Sequence, residues 1–134
     1  MTRVAPTKAE LDNLRSIVKR SLGDVTAAGL SADARFVMAY DAARTLSLII
    51  VRSEGYRPRS VGGHYNTFLA LDAADPTFTA LSTYFDGCRM KRHDCEYDFA
   101  GGISETVADG LLKAVRQFAI DAEAWVKSRD PSLA

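Results

Sequence analysis

Residues 31–55 read SADARFVMAYDAARTLSLIIVRSEG, and this stretch predicts one long α-helix. Ser31 suits the N-terminal cap, because a serine hydroxyl accepts a hydrogen bond from an unpaired amide of the first turn. Apolar side chains then recur every three or four residues, as on the buried face of a helix: Phe36, Val37, Tyr40, Ala43, Leu46 and Ile50. Gly55 follows this pattern, and glycine commonly ends a helix. The helix is therefore predicted to run from Ser31 to about Glu54.

Four further helices are predicted from start and stop signals of the same kind. Thr7 and Glu10 have the spacing of a capping box, and the helix that they begin ends at Gly23. Asp75 and Pro76 form another start signal, a capping acid followed by a proline that suits the first helical position. The predicted ranges are 61–72 for a short third helix, 75–98 for the fourth, and 104–127 for the fifth, which Ser104 caps.

The connections between these helices contain no sign of a sheet. Residues 56–59 are predicted to be extended, because the residue before Pro58 avoids the helical region. No stretch alternates polar and apolar residues as a half-buried strand does. A length of 134 residues suits one domain. The sequence therefore predicts a single all-α domain over residues 1–134, an up-and-down four-helix bundle with a short additional helix.

Charge and cysteine content narrow the range of functions. The 17 basic residues equal the 17 acidic ones, so any phosphate binding must come from a local patch. Cys88 and Cys95 form neither a disulfide framework nor a zinc pattern, which suits a reducing compartment. The first residues lack the apolar core of a secretory signal, and the longest apolar run, Leu46–Val51, is too short to span a bilayer. We expect a cytoplasmic protein with no metal, no cofactor and no membrane contact.

The predicted fourth helix carries an arginine within an apolar stripe. At about 100° per residue, one side of this helix presents Leu81, Phe85, Cys88, Cys95 and Phe99, with Arg92 among them. A buried guanidinium without a partner costs roughly 3–5 kcal/mol, so Arg92 needs a carboxylate. The candidates are Glu96, Asp94 and Asp41, in that order, and Glu96 comes first because it lies one turn further along the same helix.

Two interpretations of Arg92 remain open. In the first it forms a structural ion pair or extends its charge to water. In the second this helix faces a second subunit, and Arg92 points into the cleft between the two. Asp41 and Arg44 interrupt the apolar face of the second helix, and either could meet Arg92. Around the stripe lie Arg89 and Glu96 at its edge, His93 further round and Tyr97 nearly opposite.

A second group of basic residues surrounds the connection after the second helix: Arg52, Arg57, Arg59 and His64. We interpret this group as charge solvated on a loop. His64, near the start of the short third helix, is expected to cap that helix or to face solvent rather than to hold a ligand.

Two segments together carry a resemblance to a known family. One is YDAARTLSLIIVRSEGYRPRS followed by GGHYNTFLAL, within residues 40–71, where small residues and a long aliphatic run precede a glycine and a basic loop. The other is RMKRHDCEYD, residues 89–98, ahead of a capped final helix. Together with that final helix they cover about half of the chain. In this order and spacing they resemble the HEPN (higher eukaryotes and prokaryotes nucleotide-binding) family of small helical proteins.

The resemblance implies a dimer and a specific catalytic motif. Active members of the family are metal-independent ribonucleases whose fourth long helix carries arginine, a polar residue, three further residues and histidine, and two copies of the motif share one cleft. Here Arg92 and His93 match the first two positions, but Tyr97 stands at the histidine position. Imidazole titrates near neutral pH and can accept the 2′-hydroxyl proton, whereas a phenol with a pKa near 10 is a poor base at pH 7.

The resemblance therefore predicts a homodimeric, non-catalytic binding module of a toxin–antitoxin or nucleotidyltransferase-linked system. Its partner would be a nucleotidyltransferase or antitoxin protein, and its ligand RNA or a nucleotide. The alternative is a ribonuclease toxin that uses an Arg-His-x-x-x-Tyr variant of the motif. The candidate catalytic residues are Arg92, His93 and Tyr97, and the candidate binding residues are Arg89, Glu96, Asp41 and His64.

Overall fold

The computed structural model describes residues 2–57, 63–93 and 102–134, with side chains for all of these except Thr2 and residues 63–66. Most of the described residues are helical. The helices are α1 (Lys8–Asp24), α2 (Ala32–Ser53), α3 (Gly63–Ala74), α4 (Thr79–His93) and α5 (Glu105–Arg129). The all-α class is therefore confirmed. The predicted continuation of the fourth helix to Asp98 lies outside the described residues.

One minimal strand pairing accompanies the helices. Strand β1 (Thr2–Arg3) runs antiparallel to β2 (Tyr56–Arg57), with Thr2 opposite Arg57 and Arg3 opposite Tyr56. The extended connection predicted after α2 is present at residues 56 and 57 and pairs with the N-terminus. A ladder of two residues on each side adds no sheet layer to the fold. Within the described ranges, no helix is both long and apolar enough to cross a membrane.

The predicted helix caps are confirmed. Thr7, Ser31 and Ser104 each accept a hydrogen bond from the amide three residues later, over 3.2, 3.0 and 3.1 Å. Asp75 also caps as predicted, by accepting from the Thr77 amide at 2.9 Å, but the chain first makes a short 3-10 turn, Pro76–Phe78, and α4 begins at Thr79.

Helix α2 lies at the centre of the molecule and packs against α1, α3, α4 and α5. A chain of aromatic rings joins α2 to its neighbours. Tyr40 of α2 contacts Phe68 of α3 with ring centres 5.9 Å apart, Phe68 contacts Phe85 of α4 at 5.6 Å, and Phe85 contacts Phe118 of α5 at 5.6 Å. All four side chains are buried. Tilted and edge-on ring pairs at these distances stabilise a core beyond the area that they bury.

Arg52, near the C-terminal end of α2, is buried to 2 % exposure. Its Nε and one Nη donate to the two carboxylate oxygens of Glu10 on α1 at 2.6 and 2.8 Å. The other Nη donates to the carbonyl oxygens of Val4 and Tyr56 at 3.1 and 3.0 Å. The prediction that Arg52 is solvated loop charge is therefore wrong, because its guanidinium is buried against Glu10 and the backbone carbonyl groups of Val4 and Tyr56. Arg57, in contrast, is exposed as predicted.

The same contact changes the role of Glu10. In a capping box the glutamate side chain would return to the backbone of the capping residue, but here the carboxylate binds Arg52 instead. The hydrogen bonds from Arg52 hold the pKa of Glu10 below its usual value, and partial burial opposes that shift. The bidentate pair joins the N-terminal segment, α1 and the end of α2.

Replacement of Glu10 by glutamine is expected to lower the free energy of unfolding by about 2–4 kcal/mol, because it leaves a buried arginine without its charge partner. Since the pKa of Glu10 is lower in the folded chain, its contribution is complete above about pH 4.5 and is lost as the pH falls through the folded value. Urea unfolding at pH 7 and at pH 3 measures both effects.

The matched control is Lys8→Met, which breaks the exposed ion pair between Lys8 and Asp12 on the same helix. This variant should change stability much less than Glu10→Gln does. Equal losses in the two variants, or a Glu10→Gln loss that is the same at both pH values, would contradict the structural role given to Arg52.

Candidate functional site

Arg92 lies near the C-terminal end of α4 and faces α2. Its Nε is 3.4 Å from the Oδ1 atom of Asp41, and its guanidinium carbon lies 5.4 Å from the centre of the Tyr40 ring. The Arg92 side chain is 23 % exposed and that of Asp41 is 47 % exposed. Of the three carboxylates considered from the sequence, the structure thus places Asp41 beside Arg92. Asp94 and Glu96 lie outside the described residues.

Tyr40 forms the floor of this site. It is fully buried, and its ring packs on one side against Phe68 of the core. Burial raises the pKa of the Tyr40 hydroxyl, while the positive charges of Arg92, Arg44 and Arg89 act to lower it. These arginines come from two helices, Arg44 from α2 and Arg89 and Arg92 from α4. Together with Asp41 they define what we call the arginine cluster.

Arg44 is the member of the cluster that belongs to α2. It follows Tyr40 by four residues, one helical turn, so its side chain leaves the helix on the same side as Tyr40. Its Nε is buried and has no hydrogen-bond partner. Arg44 as a whole is only partly buried. No carboxylate in the described part of the chain forms an ion pair with it.

Arg89 belongs to α4, one turn before Arg92. Its Nε donates to the Oδ1 atom of Asp86 at 2.9 Å, and both side chains are more than a third exposed. Arg89 therefore lies at the outer edge of the cluster, as the helical wheel of α4 predicted, and Arg92 lies deeper, against α2.

The remaining predicted site residues do not join this cluster within the described structure. His93 is exposed, and it leaves α4 about 100° round the helix from Arg92. His64 lies in the first turn of α3, and its side chain is outside the described set. Tyr97 and Glu96 fall in the segment 94–101, which is also outside it.

Other reactive groups are poorly placed for chemistry. Among the described residues, no group of three or more His, Cys, Asp or Glu side chains could hold a metal ion. Cys88 is buried on α4, and burial raises the pKa of its thiol to about 11, so the nucleophilic thiolate is scarce at neutral pH. The cluster therefore offers positive charge and hydrogen-bond donors rather than a nucleophile.

Sequence analysis missed the role of Tyr40 and gave Arg44 only as an alternative partner of Arg92. The available signal was their spacing. Tyr40 and Asp41 lie one turn before Arg44 in a mostly apolar part of α2, and polar residues on such a stretch usually meet one another or a ligand.

The chain was compared with protein families, with curated proteins and with solved structures. No family model, no curated protein and no solved structure matches the chain. The HEPN resemblance therefore stays a prediction, and the function has to be argued from the residues of the site.

The ion pair between Asp41 and Arg92 can be tested by a double-mutant cycle. Asp41→Ala, Arg92→Met and the double variant should give a coupling energy of about 0.5–1 kcal/mol, because the pair is partly shielded from water. Urea unfolding of the four proteins measures it. The matching cycle on the more exposed pair Asp86–Arg89 should give a smaller value. A coupling between Asp41 and Arg92 that is indistinguishable from zero would show that the two charges do not act on each other in solution.

Proposed function

We propose that the protein is a HEPN-like binding module of a toxin–antitoxin or nucleotidyltransferase-linked system, and that it does not cleave RNA. In this proposal the five helices form an up-and-down four-helix bundle with a short additional helix. Two copies form a homodimer in which the arginine clusters face a shared cleft. The cytoplasm is the proposed location, and the proposed partner is a nucleotidyltransferase or antitoxin protein.

The observation that carries the proposal is the placement of Arg92. The side chain is three-quarters buried, lies over the Tyr40 ring and is positioned by Asp41. A guanidinium fixed in this way keeps planar donors ready for an anionic group without further ordering of the side chain. Because the chain has no net charge, attraction of an anion has to come from a local group of positive charges, and this cluster is one such group among the described residues.

The absence of a suitable base supports a binding role over catalysis. Cleavage of RNA without a metal needs a group that accepts the 2′-hydroxyl proton near neutral pH. The sequence holds two histidines. His93 is exposed and leaves α4 in a different direction from Arg92, and His64 belongs to α3. Tyr97, at the position of the family's histidine, is a phenol and stays protonated at pH 7.

The decisive experiment restores the base. Tyr97→His is expected to produce metal-independent cleavage of single-stranded RNA, about 100- to 10,000-fold above the unmodified protein, because this is the usual contribution of a general base. Arg92→Ala in the same background should remove the gain. Cleavage is measured with a fluorescent oligoribonucleotide in the presence of a chelator.

Tyr84→His is the matched control, since it makes the same substitution on α4 at a partly exposed tyrosine away from the motif. It should leave the protein inactive. Light scattering of the same samples checks the dimer, whose mass should be twice the 14.6 kDa of one chain. Strong cleavage by the unmodified protein that His93→Ala abolishes would instead support the ribonuclease toxin.

A further inference from the structure

Trp125, in the last part of α5, is held in place by two groups of the same chain. Its Nε1 donates to the Oδ2 atom of Asp75 at 3.0 Å. The guanidinium carbon of Arg129 lies 4.4 Å from the centre of the indole ring, and one Nη of Arg129 donates to the same Asp75 oxygen at 2.9 Å. A planar guanidinium can stack on an aromatic face and pair with a carboxylate at the same time. The chain itself thus shows how this ring receives an arginine.

A groove of about 440 Å³ lies beside this ring, between α5 and the turn that begins α4. Arg129 does not line it, so the groove reaches the indole on a side that Arg129 does not cover. Apolar side chains and a polar rim form its walls: Phe78, Leu81 and Trp125, then Thr77, Asp121 and Ser128. Sites for ligands have this volume and this mixture of many apolar and few polar groups.

The groove is far along both helices from the residues that border segment 94–101. Leu81 precedes His93 by 12 residues on α4, and Asp121 follows Glu105 by 16 residues on α5. At a rise of 1.5 Å per residue these separations are about 18 and 24 Å. The groove is therefore a different place on the molecule from the arginine cluster, which lies at the C-terminal end of α4.

Asp121 is the acid of the groove, and in the part of the chain that the structure describes no lysine or arginine forms an ion pair with it. Gln117 donates from Nε2 to its Oδ1 atom at 3.0 Å. Asp121 precedes Trp125 by one turn of α5, just as Trp125 precedes Arg129. Long side chains on a helix lean towards its N-terminus, so Trp125 leans towards Asp121 as Arg129 leans over Trp125. The indole therefore lies between a guanidinium on one side and a carboxylate without a cation on the other.

We propose that this groove binds an arginine side chain on the surface of a partner protein. The partner's guanidinium stacks on the uncovered side of Trp125 and forms an ion pair with Asp121. This contact repeats the one that Arg129 already makes with the same ring. The proposal goes beyond the anion-binding role of the arginine cluster and does not rest on it, because the groove presents the opposite charge.

The walls of the groove favour a protein segment over a free cation. The ring of Phe78 and the side chain of Leu81 offer an apolar surface beside Asp121, which a neighbouring apolar side chain of the partner covers. A lysine fits less well than an arginine, because its ammonium is more strongly hydrated and has no planar face to stack. Arginine and aromatic side chains also carry much of the binding energy at protein interfaces.

Fluorescence titration with a short peptide tests the proposal. Trp125 is the only tryptophan of the sequence, so its emission reports directly on the groove. The probe is a peptide blocked at both ends, with one arginine one helical turn after a leucine in an alanine background. It should change the emission and saturate at millimolar concentration or below. The same peptide with citrulline, which has the shape of arginine without its charge, should not bind, and a lysine peptide should bind more weakly.

Two variants and a control locate the binding. Asp121→Asn should weaken binding of the arginine peptide about three- to tenfold, because it removes a partly solvated charge partner. Ala124→Lys should abolish it, since the new ammonium lies one turn from Asp121 and occupies the groove. Asp24→Asn, at the exposed end of α1, removes the same charge elsewhere and should leave the affinity unchanged.

The proposal fails if the arginine peptide does not bind at millimolar concentration, if the citrulline peptide binds equally well, or if Asp121→Asn and Asp24→Asn bind like the unmodified protein. The nuclear magnetic resonance signal of the Trp125 Nε1–H group gives the same affinities by a second route, so binding that leaves the emission unchanged is still detected. The three substitutions are at exposed positions, and circular dichroism checks that each variant is folded. If Asp121→Asn is not, Ala124→Lys decides in its place.

Discussion

Helix α2 packs against the four other helices, and a charged side chain that it buries among them needs a partner of opposite charge or hydrogen-bond acceptors. Arg52 meets Glu10 of α1 in a bidentate pair and also binds two backbone carbonyls. Asp41 meets Arg92 of α4. The Arg52 contact in particular constrains the rotation of α2 about its own axis, because a turned helix would leave this buried charge without its partner. Arg44 lies on the same helix, and its buried Nε has no hydrogen-bond partner among the described residues.

Local signals in the sequence were sufficient to predict the helices. Ser31 and Ser104 cap the helices that follow them, and glycine after α2 adopts a positive φ of 91° at Gly55, as a helix end requires. The environment of Arg52 could not be predicted in this way. Its partner Glu10 is 42 residues away in the sequence, and only the pairing of β1 with β2 brings the carbonyl oxygens of Val4 and Tyr56 to its guanidinium.

The candidate site could be predicted only in part, again because some of its contacts join residues that are far apart in the sequence. The position of Arg92 within an apolar stripe indicates that it needs an acidic partner, and helix periodicity favours a residue on the same helix. The contact between α2 and α4 brings Asp41 from another helix instead. Arg44 and Tyr40 enter the site through that same contact, so their roles depend on tertiary packing rather than on spacing along the chain. The proposed function depends on this packing, because it brings positively charged side chains together in a chain that has no net charge.

The most direct test of anion binding by the arginine cluster is the nuclear magnetic resonance spectrum of the arginine side-chain Nε–H groups during titration with inorganic pyrophosphate. The Arg44 and Arg92 signals should shift together and saturate, since the proposed function assigns anion binding to the cluster that contains both. The Arg52 signal should stay in place, because its hydrogen bonds to Glu10 are already complete. Shifts confined to exposed arginines such as Arg116, with Arg44 unchanged, would contradict the assignment of anion binding to the cluster between α2 and α4.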